Sequence, residues 1–207
     1  MTRIAVLDYG IGNLRSAQKA LEHVGADARL TDDPALVAEA DGVVLPGVGN
    51  FGRCVEALRS RGLDEVAIDA IDSGRPFLGI CVGMQMLYAG SDESPGVAGL
   101  GVFERRVRLL PEGVRRPQMQ WNVLERTDNA AAEAMFASLD DPAWMYFVHS
   151  YAAEPGDEVV ATCGYGGDVV AAVARANVWA TQFHPEKSGA TGLAMLANWV
   201  RTVGAHR

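Results

Sequence analysis

A seven-residue segment, Gly-Ile-Cys-Val-Gly-Met-Gln at positions 79–85, places the strongest constraint on the fold of this 207-residue chain. An apolar run from Arg75 to Ile80 precedes the turn, and the segment from Val82 to Tyr88 is predicted to continue as a helix. The flanking glycines let the backbone turn at Cys81 without a side-chain clash. Strand, tight turn and helix make the pattern Gly-x-nucleophile-x-Gly of a nucleophile elbow. The positive end of the helix would stabilise negative charge on the sulfur.

A second motif supplies a candidate base. An alternating apolar segment from Trp179 to Phe183 ends in the triplet His-Pro-Glu at positions 184–186. The proline favours an extended conformation at His184, and residues two apart in an extended chain point to the same side. Nucleophile, base and orienter therefore follow in the order Cys81, His184, Glu186. Each motif alone has an ordinary structural explanation, a buried cysteine or a loop triplet, but the two together indicate catalysis.

The pattern of predicted elements indicates the fold class. Strands alternate with helices in the first half, which favours parallel strands with right-handed crossovers and an open, doubly wound sheet. Strands are predicted over 3–8, 27–30, 42–45 and 77–80, helices over 13–24 and 34–39, and helical segments from 51 to 73. The second half reads as strands over 102–109, 119–124, 144–148, 159–163, 169–174 and 178–183, with a closing helix over 191–200. We predict one α/β domain over 1–207, flavodoxin-like, with antiparallel strands added in the C-terminal half.

Composition excludes several functional classes. A net charge of −8 argues against nucleic acid as a partner. The three cysteines are too few and too widely spaced for a disulfide framework or a zinc site, and Cys54 and Cys163 are predicted to be small buried hydrophobes. The four histidines include no close pair, so no metal is expected. No signal peptide and no membrane-spanning run is apparent, so a cytoplasmic enzyme without membrane association is expected.

Two glycine-rich loops leave a binding function open. Residues 10–15 place Arg15 at the third glycine position of a dinucleotide fingerprint, and residues 47–52 fit the pattern only after the third strand rather than the first. A nicotinamide or flavin protein is therefore disfavoured. A thioester-forming enzyme needs two backbone N–H groups for its oxyanion. We predict that Val82, after the nucleophile, and Val48, between two glycines, supply them; a plain tight turn is the alternative for Val48.

With these residues in place, the chain resembles the class I (triad-type) glutamine amidotransferases, and within them the glutaminase subunits of imidazole glycerol phosphate synthase. The resemblance covers nearly the whole chain and rests on six motifs: Asp8 to Ser16, Leu45 to Phe51, Gly79 to Gln85, Gln118 to Asn122, His149 to Tyr151 and His184 to Ser188. Pro-Gly-Val-Gly at 46–49 differs from the Gly-Gly-Glu-Ser of pyridoxal phosphate synthase glutaminases. One departure is Gln120, where the family usually has glycine in His-Met-Gly-Trp-Asn.

The resemblance implies roles for further residues. Substrate glutamine would be held by Gly49, Gln85, Glu93 and the backbone of Ser150 and Tyr151. The partner chain would be contacted by Asn13, Arg15, Trp121 and Lys187.

The resemblance also implies the reaction. Glutamine would be hydrolysed to glutamate and ammonia through a cysteinyl thioester, without a cofactor. The glutaminase fold uses all 207 residues, so the ammonia acceptor is expected on another chain. That chain would be a (β/α)8-barrel cyclase in a heterodimer, receiving ammonia through a channel and making imidazole glycerol phosphate and an aminoimidazole carboxamide ribonucleotide in histidine biosynthesis. Alternatives are the glutaminase of another ammonia-channelling synthase, a related cysteine amidase or peptidase, or a non-catalytic binding module.

Overall fold

The computed structural model describes residues 1–206 and is built around an eight-stranded sheet accompanied by a three-stranded and a two-stranded sheet. The strands are β1 (Arg3–Leu7), β2 (Asp27–Thr31), β3 (Gly42–Gly47), β4 (Phe77–Cys81), β5 (Tyr88–Ser91), β6 (Phe103–Leu109), β7 (Gln118–Val123), β8 (Glu125–Arg126), β9 (Trp144–His149), β10 (Tyr151–Ala153), β11 (Val159–Gly164), β12 (Asp168–Arg175) and β13 (Val178–Thr181). The helices are α1 (Leu14–His23), α2 (Pro34–Ala38), α3 (Phe51–Ser60), α4 (Leu63–Asp72), α5 (Val82–Met86), α6 (Ala130–Met135) and α7 (Gly189–Ala205), with a 3-10 turn over Pro185–Lys187.

The order of the central sheet is β2-β1-β3-β4-β13-β12-β11-β8. The pairings from β2 through β13 are parallel, and the remaining three are antiparallel. β3 and β4 are buried along their whole length, as expected for parallel strands covered on both faces. The predicted open, mostly parallel sheet with antiparallel strands added by the C-terminal half is therefore confirmed.

One predicted helix has different bounds, and one predicted helical region contains two helices. The helix after Cys81 ends at Met86, and residues 88–91 form β5, which pairs with β6. The predicted helix is thus wrong at Tyr88, whose buried ring lies 5.0 Å from that of Phe103. A short apolar run fits either helix or strand, and here packing against β6 decides. The helical segments predicted from 51 to 73 are α3 and α4, separated at Gly62, whose φ of 65° is left-handed.

Within residues 1–206, no helix combines the length and apolar character needed to cross a membrane. The long final helix α7 is instead amphipathic enough to bury Met195, Leu196 and Trp199 while leaving other positions to solvent. It packs against α1, so the two ends of the chain lie side by side.

The two glycines of the elbow are needed for close packing. A methyl group on Gly83 would overlap the carbonyl oxygen of Leu45 in β3. A methyl group on Gly79 would lie 3.1 Å from the backbone of Gly83. Neither glycine has a positive φ; that conformation belongs to Cys81 itself, at φ 55° and ψ −111°. The short helix α5 can therefore lie directly on β3 and β4, which fixes its first residue at the end of the sheet.

Replacing Gly83 with alanine is expected to lower the free energy of unfolding by about 3 kcal/mol or more, because a methyl group inserted against backbone cannot be relieved by a rotamer change. Urea denaturation monitored by circular dichroism measures the loss. Gly96→Ala is the matched control, since nothing lies within 4 Å of the added methyl group there. Equal stability of the Gly83→Ala and Gly96→Ala variants would contradict this packing.

Candidate functional site

Cys81 lies at the junction of β4 and α5 in a strained backbone conformation. A positive φ at a residue with a side chain costs about 1–3 kcal/mol and is maintained only by its surroundings. Here the surroundings are strand pairs on both sides, because Gly47 of β3 lies opposite Cys81 and Thr181 of β13 lies opposite Ile80. The thiol is 3% exposed. The strain places its sulfur at the helix N-terminus, at the carboxyl edge of the parallel sheet.

His184 and Glu186 form a buried pair just after β13. The distance from His184 Nδ1 to Glu186 Oε1 is 2.8 Å, and both side chains are 2% exposed. A carboxylate only accepts hydrogen bonds, so Nδ1 carries the proton in this pair. The other ring nitrogen, Nε2, is buried and makes no hydrogen bond of standard geometry within the described residues. In the neutral ring Nε2 is therefore a lone-pair acceptor, the form that a general base requires.

The neighbours of His184 determine its charge. Burial alone would lower the pKa of this imidazole, but its interactions with the neighbouring Cys81 and Glu186 outweigh burial and raise the pKa to about 9. The nearby His149 behaves in the opposite way, since burial lowers its pKa to about 4. At neutral pH the site therefore favours a protonated His184 beside a neutral His149.

A cavity of about 490 Å³ opens beside these residues. It brings together eleven of the residues predicted from the sequence: Asn13, Val48, Gly49, Cys81, Val82, Gln85, Glu93, Ser150, Tyr151, His184 and Lys187. Three others lie outside its lining: Glu186 is behind the ring of His184, Arg15 is exposed on α1, and Trp121 is exposed on β7.

Some polar groups that line the cavity already make hydrogen bonds within the protein. Glu93 Oε2 accepts a hydrogen bond from the N–H of Phe51 at 2.7 Å, which caps the start of α3 and leaves Oε1 for a ligand. Gln85 Nε2 donates to the carbonyl of Tyr151 at 2.9 Å, which leaves its Oε1 for a ligand as well. The carbonyl of Ser150 accepts from Leu110 N–H.

Sequence reasoning missed three residues at the site. The Nε2 atom of the buried Gln182 lies 3.7 Å from the sulfur of Cys81. Tyr9 donates its hydroxyl to the carbonyl of Pro46 at 2.7 Å, and the Cys54 thiol donates to the carbonyl of Val48 at 3.3 Å. Tyr9 and Cys54 thus hold the segment on both sides of the Gly47–Val48 peptide. Gln182 carried a local signal, as a polar residue within the mostly apolar segment from Trp179 to Phe183.

The remaining cysteines and the unusual Gln120 are structural. Cys54 and Cys163 are buried, as predicted, and burial raises the pKa of both thiols, that of Cys163 to about 11. Gln120 lies within β7 opposite Phe147, in extended backbone that needs no glycine. Among residues 1–206 no group of side chains could hold a metal ion.

Comparison with known proteins identifies the family. The family model described as glutamine amidotransferase class-I matches residues 5–203, which is nearly the entire chain. The chain belongs to the class I glutamine amidotransferases. This confirms the resemblance carried by the sequence motifs, and the enzyme class follows from it.

Relatives of this amidotransferase are similar over their full length. The imidazole glycerol phosphate synthase subunit HisH of Symbiobacterium thermophilum is 49% identical, with 98% of this chain and 95% of that protein covered. The HisH subunit of Methanothermobacter thermautotrophicus is 47% identical, with 98% and 100% covered. Among solved structures, PurLQS from Thermotoga maritima superposes with a TM-score of 0.70 at 21% identity, over 98% of this chain and 96% of that one. That likeness supports the fold.

The raised pKa of His184 predicts a specific pH dependence of stability. A histidine whose pKa is higher in the folded than in the unfolded state contributes stability below its ordinary pKa of 6.5, and this contribution is lost as pH rises through about 9. The difference in melting temperature between wild type and His184→Gln should therefore be largest below pH 6.5 and shrink towards pH 9. His23→Gln, at an exposed position on α1, is the control. A difference that stays constant over this range would contradict the predicted shift.

Proposed function

We propose that this amidotransferase is the glutaminase subunit of an imidazole glycerol phosphate synthase and hydrolyses L-glutamine with Cys81, His184 and Glu186. The observation that carries the proposal is the buried pair of His184 and Glu186 beside Cys81, at one cavity of a chain whose family consists of glutamine amidotransferases. A cytoplasmic location accords with three free cysteines.

In the first half-reaction, the thiolate of Cys81 attacks the side-chain carbonyl carbon of glutamine. The electron pair of the carbonyl moves to oxygen and forms a tetrahedral oxyanion. His184, protonated in the resting site, donates its Nε2 proton to the amide nitrogen. The C–N bond then breaks, ammonia leaves, and the acyl group remains on Cys81 as a thioester.

The oxyanion requires two N–H donors, and we assign these roles to the backbone of Val48 and Val82, which both line the cavity. Val82 is the first residue of α5, so its N–H is one of the helix donors without an intrahelical partner. Val48 follows Gly47, which lies opposite Cys81 in the sheet, and both valines line the cavity. The Tyr9 and Cys54 hydrogen bonds described above support the strand that would present the second donor.

In the second half-reaction, neutral His184 takes a proton from water, and the resulting hydroxide attacks the thioester. The C–S bond breaks, glutamate leaves and the thiolate of Cys81 is restored. Glu186 stabilises the imidazolium formed at this stage and keeps the ring oriented.

The amino-acid end of glutamine is proposed to lie towards Gln85 and Glu93. Both residues line the cavity, and each keeps one side-chain oxygen for a ligand. Carboxylate and amide oxygens suit the α-ammonium group of the substrate. Gly49 is exposed with φ 93° and brings backbone close to the same region, while Ser150 and Tyr151 form the opposite wall.

The surface around the cavity mouth is proposed to receive a separate cyclase chain of (β/α)8-barrel form. One face of the ribbon formed by β7 and β9 carries Met119, Trp121, Val123, Trp144, Tyr146 and Val148, which lie opposite one another in pairs. Met119 is 62% exposed, and Trp121 and Trp144 are each 48% exposed. We call these six residues the ribbon face. Since Val148 also lines the cavity, the ribbon face is continuous with its mouth, beside Asn13 and Lys187.

Hydrogen bonds connect the strand β9, which carries part of the ribbon face, to the segment of His184 and Ser188. The N–H of His184 donates to the carbonyl of Tyr146 at 3.0 Å, and the N–H of Tyr146 donates to Ser188 Oγ at 2.9 Å. Ser188 Oγ in turn donates to the carbonyl of His184 at 2.6 Å. A partner that binds over Tyr146 and Trp121 would therefore contact β9, the strand whose backbone carbonyl accepts the hydrogen bond from His184. These contacts support a complex in which partner binding and glutamine hydrolysis are coupled.

Cys81→Ala should abolish glutamine hydrolysis and leave the fold intact, because alanine fits the site but has no nucleophile. The measurement is glutamate release by the chain mixed with its cyclase partner.

In the wild type, 6-diazo-5-oxo-norleucine should label Cys81 alone, since burial raises the pKa of Cys54 and Cys163 and keeps them as thiols. Residual turnover in Cys81→Ala, or label found mainly on another cysteine, would refute the assignment.

Trp121→Ala should weaken binding of the cyclase by about tenfold or more, as expected for a large aromatic at the centre of an interface. Isothermal titration of the purified cyclase into the variant gives the affinity. The control is Leu36→Ala on α2, which removes an apolar side chain of similar exposure, 46%, outside the ribbon face. Unchanged affinity in Trp121→Ala would remove the ribbon face from the interface.

A further inference from the structure

Two buried glutamines connect a backbone carbonyl to the sulfur of Cys81. Gln85 Nε2 donates to the carbonyl of Tyr151 and to Gln182 Oε1, both at 2.9 Å. Gln182 Nε2 then lies 3.7 Å from Cys81 Sγ. Gln85 is 3% exposed and Gln182 is 0% exposed, so water does not compete for these contacts.

The carbonyl of Tyr151 fixes which amide atoms donate and which accept along this series of hydrogen bonds. The carbonyl of Tyr151 can only accept, so the atom of Gln85 that faces it must be the amide nitrogen. The same nitrogen faces Gln182, which must therefore present its oxygen to Gln85. The remaining amide group of Gln182, an N–H donor, is left facing the sulfur. No rotation of either amide reverses this order without placing two acceptors or two donors together.

We propose that Gln182 is a further catalytic residue, whose side-chain N–H stabilises negative charge on the Cys81 sulfur, and that Gln85 is a positioning residue that orients it. This inference rests on the proposed nucleophilic role of Cys81. A fixed N–H dipole aimed at a buried anion is more effective than water, because it does not reorganise when the charge forms. Gln182 is itself held by its backbone N–H, which donates to the carbonyl of Ala171 at 2.8 Å.

Among the described residues, Cys81 interacts electrostatically with His184, Tyr9 and Cys54. Burial raises the pKa of both Tyr9 and Cys54, so neither carries charge at neutral pH. His184 contributes the one positive charge among them, and it must move its proton during the reaction. Gln182 adds stabilisation that does not depend on a proton.

A second glutamine–cysteine contact in the chain serves as a control for the contact between Gln182 and Cys81. Gln118 Nε2 lies 3.7 Å from the sulfur of Cys163, the same separation as in the Gln182–Cys81 contact. That pair is also buried but lies outside the cavity lining. Removing the amide of Gln118 should therefore leave the reactivity of Cys81 unchanged.

The test measures alkylation of Cys81 by iodoacetamide in the full-length chain from pH 6 to 10, with each cysteine resolved by peptide mass mapping. In Gln182→Met the rate on Cys81 at pH 7 should fall roughly fivefold, as expected for loss of one hydrogen bond to a nascent charge. The midpoint of its pH profile should move upward. Gln118→Met should behave as wild type. A Gln182→Met protein that is folded by circular dichroism and reacts with the wild-type profile overturns the proposal.

Two further variants keep the test decisive if Gln182→Met does not fold. Gln182→Glu retains an acceptor for Gln85 but places a negative charge beside the sulfur, so alkylation should slow further; an equal or faster rate overturns the proposal. Gln85→Met should shift the profile in the same direction by less; an unchanged profile in a folded Gln85→Met protein would contradict its positioning role. Because iodoacetamide replaces glutamine as the probe, failure here is distinguishable from failure of the glutaminase assignment.

Discussion

The contact of helix α5 with strand β3 is the constraint on which the site depends. Gly83 allows the helix backbone to approach Leu45 more closely than any side chain would permit. Gly47 allows a similar approach from the other side, since a methyl group there would lie 2.8 Å from Gly83 N. With the helix held in this way, Cys81 has no relaxed conformation available and keeps its positive φ. The strain at Cys81 is therefore maintained by backbone packing several residues away.

Pairing of β4 with β13 joins the N-terminal and C-terminal halves of the chain at the sheet edge where Cys81 lies. Parallel strands end at a common edge, so the residues that follow β4 and β13 meet there although about a hundred positions separate them. The segment after β13 then packs against β9, which also carries the ribbon face. The proposed nucleophile and base and the exposed apolar surface are thus arranged around one sheet edge, so the proposed substrate cavity borders the proposed partner surface.

Much of this arrangement follows from local sequence. The elbow at Cys81 and the extended segment before Glu186 are short-range patterns, and alternation of strands and helices was sufficient to predict the sheet. Contacts between distant segments were not predictable. The hydrogen bond from Gln85 to Gln182 joins side chains 97 positions apart, and the capping of α3 by Glu93 spans 42 positions. Tyr88 was misassigned for a related reason, because its strand partner Phe103 lies beyond any helical repeat.

The position of β13 has a consequence for the chain during synthesis. β13 comes last among the strands in sequence but lies in the interior of the sheet, between β4 and β12. A nascent chain that has emerged only through residue 81 carries the segments of β1 to β4 and the thiol, but β4 still lacks its neighbour and no imidazole stands beside the sulfur. Domains generally fold as units, so the sheet is complete only after β13 has been synthesised. On the roles proposed for Cys81 and His184, glutamine hydrolysis therefore requires that the last segments of the chain have been inserted.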